Sequence, residues 1–251
     1  MSRSAAGTGR IYDMHCHCHE MTSREVEDIL DKIDVSIVAV SEDLETLYYT
    51  LELAASYDRL IPCTGLHPWI IREKGIGEAE ELARAAYRLD VPCIGEVGLD
   101  KKFVPSTLWE PQLRVFRLFS RLAAEIDGYV TVHSPGAWRE ALQVLVEENV
   151  RKAMFHWYTG PITLIDEITA FGYYISINPA VKIQAKHVRV VESVPLEWIV
   201  LESDGPYNYK GLRLSPLMIP ETINIIARIK KVEPNTVEEA ARANSERLLY
   251  G

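Results

Sequence analysis

The sequence has few cysteines, and none of them are spaced for a metal ribbon or a redox pair. The four are Cys16, Cys18, Cys63 and Cys93, and the lack of a Cys-x-x-Cys pair excludes zinc-ribbon and thioredoxin-like proteins. We expect all four to be buried and to pack as small hydrophobic side chains, not as metal ligands, in a reduced compartment. Cys16 and Cys18 should face the helices, because strand side chains alternate and the histidines beside them occupy the other face.

Basic residues are also scarce. The chain has 27 lysines and arginines against 36 aspartates and glutamates, a formal net charge of −9. Broad binding to duplex phosphates needs a basic surface, so the composition argues against a protein that wraps a duplex. A small metal-centred site that binds one phosphate at a time is still compatible with this charge.

Long apolar runs, internal repeats and Pro/Gly/Ser-rich linkers are missing too. The polar residues 1–10 contain no apolar signal core, and no later run is long enough to cross a membrane. We therefore expect a cytoplasmic protein without a membrane partner. A poorly ordered segment over 1–10 and one domain over 11–251 are predicted, while the oligomeric state is left open.

Eight short apolar runs alternate with helical patterns along the chain. The runs lie at 11–17, 35–40, 60–66, 91–97, 129–133, 152–156, 172–177 and 198–203. This alternation predicts parallel strands with helical crossovers. The length of 251 residues is typical of one α/β domain with the (β/α)8 TIM barrel fold.

Two helix starts and one buried amide are predicted as well. Thr107 with Glu110, and Thr236 with Glu239, have the spacing of a capping box. Asn244 falls on the apolar stripe of the last helix, where a buried amide must find hydrogen-bond partners.

Isolated polar residues stand at the C-terminal ends of the apolar runs, where barrel active sites form. His15 and His17 project from one strand face, a geometry in which two imidazoles can hold one metal ion. The others are His67, Glu96, His133, His156 and Asp204. Six of the seven histidines lie in or beside these positions, which favours a metal site over separate core histidines.

These residues belong to longer motifs that resemble the TatD-type metal-dependent deoxyribonuclease family, within the amidohydrolase-like barrel superfamily. The motifs are Asp13-Met14-His15-Cys16-His17, Gly65-Leu66-His67-Pro68, Ile94 to Asp100, Val132-His133-Ser134, Phe155 to Gly160, Gly172 to Ile177 and Leu201 to Tyr207. Together they span nearly the whole chain.

The resemblance implies two divalent ions, of zinc, manganese or magnesium. One ion would be bound by His15, His17, Glu96 and Asp204, and Glu96 would bridge to a second ion held by His133 and His156. The implied reaction is hydrolysis of phosphodiester bonds, commonly in DNA. The shortage of basic residues favours an exonuclease acting on a single strand or an end, or on a small phosphoester.

Roles within that site follow from the same resemblance and from two-metal chemistry. Asp204 would orient the water activated by the metals and take its proton, with Glu96 as the second catalytic carboxylate. Glu202 shares a strand face with Asp204 and would hold a ligand imidazole. His67 and Arg213 are predicted to contact the substrate.

The chain departs from the family pattern at three places, after the fifth, sixth and eighth strands. It has Ser134-Pro135-Gly136 where Ser-Arg-Asp is frequent, His156-Trp157-Tyr158 in place of His-Cys-Phe, and Arg213-Leu214-Ser215-Pro216 in place of Arg-Asn-x-Pro. We expect these changes to affect substrate contacts more than metal binding.

Three aromatic residues, Trp69, Trp157 and Tyr207, follow strand ends. They either stack on an unpaired base, as in single-strand binders, or anchor loops over the barrel mouth.

Two other functions stay open. One is an amide or lactone hydrolase or a deaminase on the same barrel, although such relatives usually bridge their metals with a modified lysine where this chain has Glu96. The other is a metal-binding scaffold without catalytic activity.

Overall fold

The computed structural model describes residues 10–251, which form an eight-stranded parallel barrel surrounded by helices. The strands are β1 Ile11–Cys16, β2 Val35–Ser41, β3 Leu60–Thr64, β4 Cys93–Gly98, β5 Tyr129–His133, β6 Lys152–Phe155, β7 Tyr174–Ile177 and β8 Ile199–Leu201. Each strand pairs with the next one in sequence. The predicted TIM barrel is confirmed.

The barrel is nearly closed by hydrogen bonds between β1 and the segment that follows β8. The Asp204 N–H donates to the His15 carbonyl over 2.9 Å, and the His17 N–H donates to the Gly205 carbonyl over 2.8 Å. These bonds place the first ligand pair of the predicted metal site beside Asp204.

Helices cover the outside of the barrel. They are α1 Ser23–Lys32, α2 Leu44–Ser56, α3 Ile71–Arg88, α4 Trp109–Ile126, α5 Trp138–Glu147, α6 Ile165–Ala170, α7 Ala185–Ser193, α8 Ile219–Lys230 and α9 Pro234–Tyr250. A two-stranded ribbon, β9 Asn208–Tyr209 and β10 Leu212–Arg213, follows β8. Over residues 10–251, none of the helices combines the length and apolar character of a membrane span. The segment predicted to be poorly ordered, 1–10, lies outside the described residues except for Arg10.

The predicted strands agree with the observed ones to within two residues at either end, but both predicted capping boxes are wrong. A 3-10 turn over Ser106–Leu108 precedes α4, so Thr107 is not at the helix start. The last helix begins at Pro234, two residues before Thr236, with no side-chain cap. Proline at the first helical position already has a helical φ angle and no N–H to satisfy, which explains the earlier start.

Cys63 and Cys93 form a disulfide between β3 and β4. They are partners in the parallel register, and their Cα atoms are 4.4 Å apart. Both side chains are buried as expected, but the expectation of a reduced compartment did not anticipate this bond. Cys16 and Cys18 are free and pack in a cluster with side chains of α1 and α2, as predicted.

Asn244 of α9 is buried and fully hydrogen-bonded, as the sequence requires. Its amide nitrogen donates to the carbonyls of Leu196 over 2.8 Å and Ile199 over 2.7 Å. Its carbonyl oxygen accepts from the Arg247 guanidinium over 2.9 Å. The side chain thereby ties the last helix to the start of β8.

Replacing Asn244 with alanine should lower the free energy of unfolding by about 3 kcal/mol, because one buried and one partly buried carbonyl lose their donor. Urea unfolding followed by circular dichroism measures the change. Asn224→Ala is the matched control, since this asparagine is exposed and, within residues 10–251, its side chain bonds only to the Pro220 carbonyl of its own helix. A loss for Asn244→Ala no larger than the control's would contradict the prediction.

Candidate metal centre

The predicted metal ligands converge at the C-terminal ends of the strands. We call them the central cluster: His15, His17, Glu96, His133, His156 and Asp204. All but His15 line a cavity of about 460 Å³. His15 is fully buried, and its ring stacks on that of His156 with centroids 3.9 Å apart. The structure thus gathers residues from β1, β4, β5, β6 and the end of β8 around one point.

The close approach of β4 to β5 allows the Glu96 side chain to reach the central cluster. Gly95 and Gly98 flank the segment that carries Glu96, and both have positive φ angles. A Cβ on Gly95 would overlap Thr131, and one on Gly98 would overlap the His133 carbonyl. Only glycine satisfies both the backbone conformation and the spacing.

The two carboxylate oxygens of Glu96 face different histidines. Oε2 lies 3.2 Å from His15 Nε2 and 3.6 Å from His17 Nε2. Oε1 lies 2.7 Å from His133 Nδ1 and 3.9 Å from His156 Nε2. Each oxygen of the carboxylate therefore faces its own pair of imidazoles.

Glu96 is ionised although it is buried. Burial by itself would raise the pKa of its carboxyl, but the imidazoles of His67, His156 and His15 outweigh it and hold the pKa well below the ordinary value. A carboxylate in this state is a good metal ligand, because no proton has to leave when the metal binds.

Asp204 faces the same space from the segment after β8. Its Oδ1 atom lies 3.4 Å from His17 Nε2 and 3.7 Å from the Nε2 atoms of both His15 and His156. Burial opposes ionisation, but His156 and His17 lower the pKa of Asp204 overall. Its backbone is left-handed, with φ 55°, a conformation that aspartate tolerates better than most residues.

Three of the histidines are held through their second ring nitrogen. The bonds are His15 Nδ1 to Thr131 Oγ1 at 2.9 Å, His133 Nε2 to Asp100 Oδ2 at 2.8 Å, and His156 Nδ1 to Glu202 Oε2 at 2.9 Å. Each bond leaves the other nitrogen facing the central cluster. Metal-ligating histidines are commonly oriented in this way by carboxylates and other hydrogen-bonding groups. The donor set of imidazoles and ionised carboxylates therefore fits divalent metal ions.

Asp100 is a residue that the sequence analysis missed. Besides His133, its carboxylate accepts from Trp69 Nε1 and from the backbone of Lys102 and Phe103. Burial opposes ionisation, but the bonds to His133 and Trp69 bring the pKa of Asp100 to about 2. The only sequence feature that pointed to Asp100 was its place at the end of the Ile94 to Asp100 motif. The position of Asp100 in the sequence did not reveal that its carboxylate contacts His133.

Two histidines of the central cluster carry a second ring proton, and so a positive charge, at neutral pH in the metal-free protein. Burial disfavours the charged ring of His17, but Asp204 and Glu96 raise its pKa to about 9. Burial likewise opposes charge on His156, yet Glu202, Glu96 and Asp204 raise its pKa to about 10. The opposite holds for His15, whose pKa is lowered by burial and by His156.

The two predicted substrate contacts lie in different places. His67 lines the cavity, and its Nδ1 accepts from the Trp69 N–H over 3.2 Å. The proton is therefore on Nε2, which lies 3.5 Å from Glu96 Oε1. Arg213 of β10 is not among the residues that line the cavity; it is exposed and pairs with Glu25 over 3.0 Å.

Aromatic side chains form two walls of the cavity. Trp69 and Phe103 stand on one side, with ring centroids 5.8 Å apart. On the other side the Trp157 ring meets those of Tyr207 and Tyr209, at 5.9 and 5.1 Å. Trp69 of the first wall, and Trp157 and Tyr207 of the second, were identified from the sequence as aromatic residues that follow strand ends. Phe103 and Tyr209 were not identified, because neither follows one of the barrel strands directly.

Positive charge is sparse around the cavity. Within the described chain, Lys102 is the lysine or arginine that lines it. Its ammonium lies 4.9 Å from the centroid of the Trp138 ring. The site therefore resembles a metal-centred pocket more than a basic groove.

Known proteins share both the sequence and the fold. The family described as TatD related DNase matches residues 12–250. An uncharacterized metal-dependent hydrolase of Methanocaldococcus jannaschii is 30% identical over 93% of this chain and 94% of that protein. Human deoxyribonuclease TATDN3 is 29% identical, covering 97% of this chain and 96% of its own.

Solved structures agree with the barrel. YJJV, a TatD homolog from Escherichia coli, superposes with a TM-score of 0.87 at 23% identity, covering 96% of this chain and 98% of that one. A TatD family hydrolase from Entamoeba histolytica gives 0.84 at 19% identity, with the same coverage. With the family match over nearly the whole chain, the protein belongs to the TatD related DNase family and is a metal-dependent hydrolase.

Proposed function

We propose that this protein hydrolyses phosphodiester bonds of DNA with two divalent metal ions, working as an exonuclease on a single strand or an end. The observation that carries the proposal is the position of Glu96, whose two oxygens face separate histidine pairs. Such a carboxylate is suited to bridge two ions. The name of the human relative supports DNA as the substrate.

The central cluster divides into two ligand sets. Glu96 Oε2, His15, His17 and Asp204 would hold one ion, while Glu96 Oε1, His133 and His156 would hold the other. Two ions held there would polarise a phosphoryl oxygen and lower the pKa of a water molecule to about 7.

Asp204 is the group best placed to accept the proton of the attacking water. It is ionised, and it reaches both histidines of its own set. Glu202 bonds to the ring of His156 and to the N–H of Trp157. It therefore positions a ligand and does not itself contact the substrate.

Two side-chain donors can bind phosphate oxygens beside the central cluster. His67 points its Nε2–H toward Glu96 Oε1 at 3.5 Å. Ser134 lines the cavity, and its buried hydroxyl has no hydrogen-bond partner within residues 10–251. Pro135 stands where the family often has an arginine after the fifth strand, so we assign the phosphate contact on this side to these two groups.

The cavity walls favour unpaired nucleotides over a duplex. Stacking on aromatic rings needs an exposed base face, which a strand end supplies and a paired interior does not. The single lining lysine gives little attraction for a long phosphate backbone. Both features agree with removal of nucleotides from an end.

The wild-type protein, reloaded with Mg²⁺, Mn²⁺ or Zn²⁺, should shorten 3′- or 5′-labelled single-stranded DNA from one end. Glu96→Gln and Asp204→Asn should each lower kcat by about 1,000-fold or more, because each removes a charged ligand at the reacting centre. Asp166→Asn, on the exposed outside of α6, is the matched control. If the wild type cleaves amides or lactones and leaves every phosphodiester intact, the proposal is wrong.

Metal uptake should release protons. The metal-free rings of His17 and His156 have pKa values of about 9 and about 10. Both are charged at pH 7 and must become neutral to bind a metal, so about two protons should leave per chain. Affinity should then increase as the pH rises from 6 to 8. Calorimetry of Zn²⁺ binding in buffers of different ionisation enthalpy counts the protons, and a count of zero would contradict the prediction.

Phe103→Ala and Tyr207→Ala should weaken binding of single-stranded oligonucleotides without harming the chemistry. The two side chains are 68% and 44% exposed, and loss of one stacked base should raise KM about tenfold. Hydrolysis of bis(p-nitrophenyl) phosphate should keep its kcat. Tyr250→Ala is the control, because Tyr250 is at least as exposed as either residue but absent from the cavity lining. Unchanged KM in both wall variants would show that these residues only anchor loops.

A further inference from the structure

A second group of possible ligands lies at the edge of the same cavity, between the ends of β1 and β2. His19 and Glu20 belong to a 3-10 turn, Cys18–Glu20, that follows β1, and Glu42 directly follows β2. We call these three residues the mouth cluster. With His17, each offers one ligand atom, and those atoms lie within 4.8 Å of one another.

The His19 ring has the orientation of a metal ligand. Its Nδ1 lies 2.9 Å from the carbonyl oxygen of Val40. A carbonyl only accepts, so Nδ1 carries the proton and Nε2 carries the free lone pair. Histidines that bind metals commonly donate their other N–H to a backbone carbonyl in this manner.

A buried polar atom without a partner points into the mouth cluster. His17 is 8% exposed, and its Nδ1 has no hydrogen-bond partner within the described chain. This atom lies 3.5 Å from Glu42 Oε1, whereas Nε2 of the same ring faces the central cluster. An orphaned nitrogen is costly unless something polar satisfies it. When Nε2 binds a metal, Nδ1 carries the ring proton, and a water molecule held by a cation at the three side chains can accept a hydrogen bond from it.

We propose that His19, Glu20 and Glu42 bind a third divalent cation at the cavity mouth. Two carboxylates and one imidazole suit Mn²⁺ and Zn²⁺. The His17 and His19 ring centroids are 5.5 Å apart, so the third site adjoins the central cluster.

The third cation has a clear use in a cavity with little other positive charge. Glu20 and Glu42 line the cavity, and a cation bound there faces the space in which a phosphate would sit. Three protein ligands leave coordination positions for water or for phosphate oxygens. The cation thereby supplies the attraction that a second lysine or arginine would otherwise supply. This use rests on the proposed function, whereas the binding site itself does not.

The test counts bound ions and does not depend on hydrolysis. Metal-free protein is titrated with Mn²⁺, and free Mn²⁺ is measured by electron paramagnetic resonance. His19→Gln and Glu20→Gln should each bind one ion fewer than the wild type, or bind the weakest ion at least about tenfold less tightly. The ions of the central cluster should keep their affinity. Glu45→Gln, an exposed carboxylate of α2 outside the cluster, should match the wild type.

The outcomes separate this inference from the proposed function. If both variants bind as many ions as the wild type with the same affinities, the third site does not exist, whether or not the protein cleaves DNA. If both variants lose an ion while the wild type leaves DNA intact, the third site stands and the nuclease proposal fails. Glu20 is exposed, so its substitution should not disturb folding.

Discussion

The burial of ionised carboxylates among imidazoles is the constraint on which this barrel depends. Glu96 is almost fully enclosed, yet it stays charged because histidines surround both of its oxygens. Transferring a carboxylate from water to such a site costs several kcal/mol unless positive or hydrogen-bonding partners replace the water. The fold must therefore bring those partners from distant parts of the chain to within a few ångströms of Glu96. A parallel barrel achieves this, because the C-terminal ends of its strands all point to one side.

An outer layer of polar contacts keeps the partners in place. Asp100, Thr131 and Glu202 each bond to a different imidazole of the central cluster. Asp100 is held in turn by Gln112 of α4, which bonds to its backbone N–H and carbonyl. The orientation of a ligand thus depends on a helix packed outside the barrel. Such networks stabilise only when they are complete, since a missing member leaves a buried charge or dipole unpaired.

The barrel and the central cluster could be predicted because their signals repeat along the sequence. Apolar strands alternate with helices, and polar residues recur at the strand ends that the structure brings together. Features that depend on three-dimensional register have no such signal. The partnership of Cys63 with Cys93 follows from strand alignment, which a separation of 30 residues does not reveal. Arg213 was assigned to the substrate from the resemblance of Arg213-Leu214-Ser215-Pro216 to a family motif, which does not reveal that the ribbon of β9 and β10 pairs this side chain with Glu25.

The central cluster is carried by the strands and the aromatic walls by the loops, and this separation has an evolutionary consequence. The groups of the central cluster lie on strands or directly at their ends, while Phe103, Tyr207 and Tyr209 belong to the segments that follow β4 and β8. Loop segments tolerate replacement, insertion and deletion far better than barrel strands. Selection can therefore exchange one set of aromatic walls for another without altering the groups that perform the reaction. Descendants of one ancestral barrel can acquire new substrates by gradual drift in these loops, while their hydrolytic chemistry is inherited unchanged.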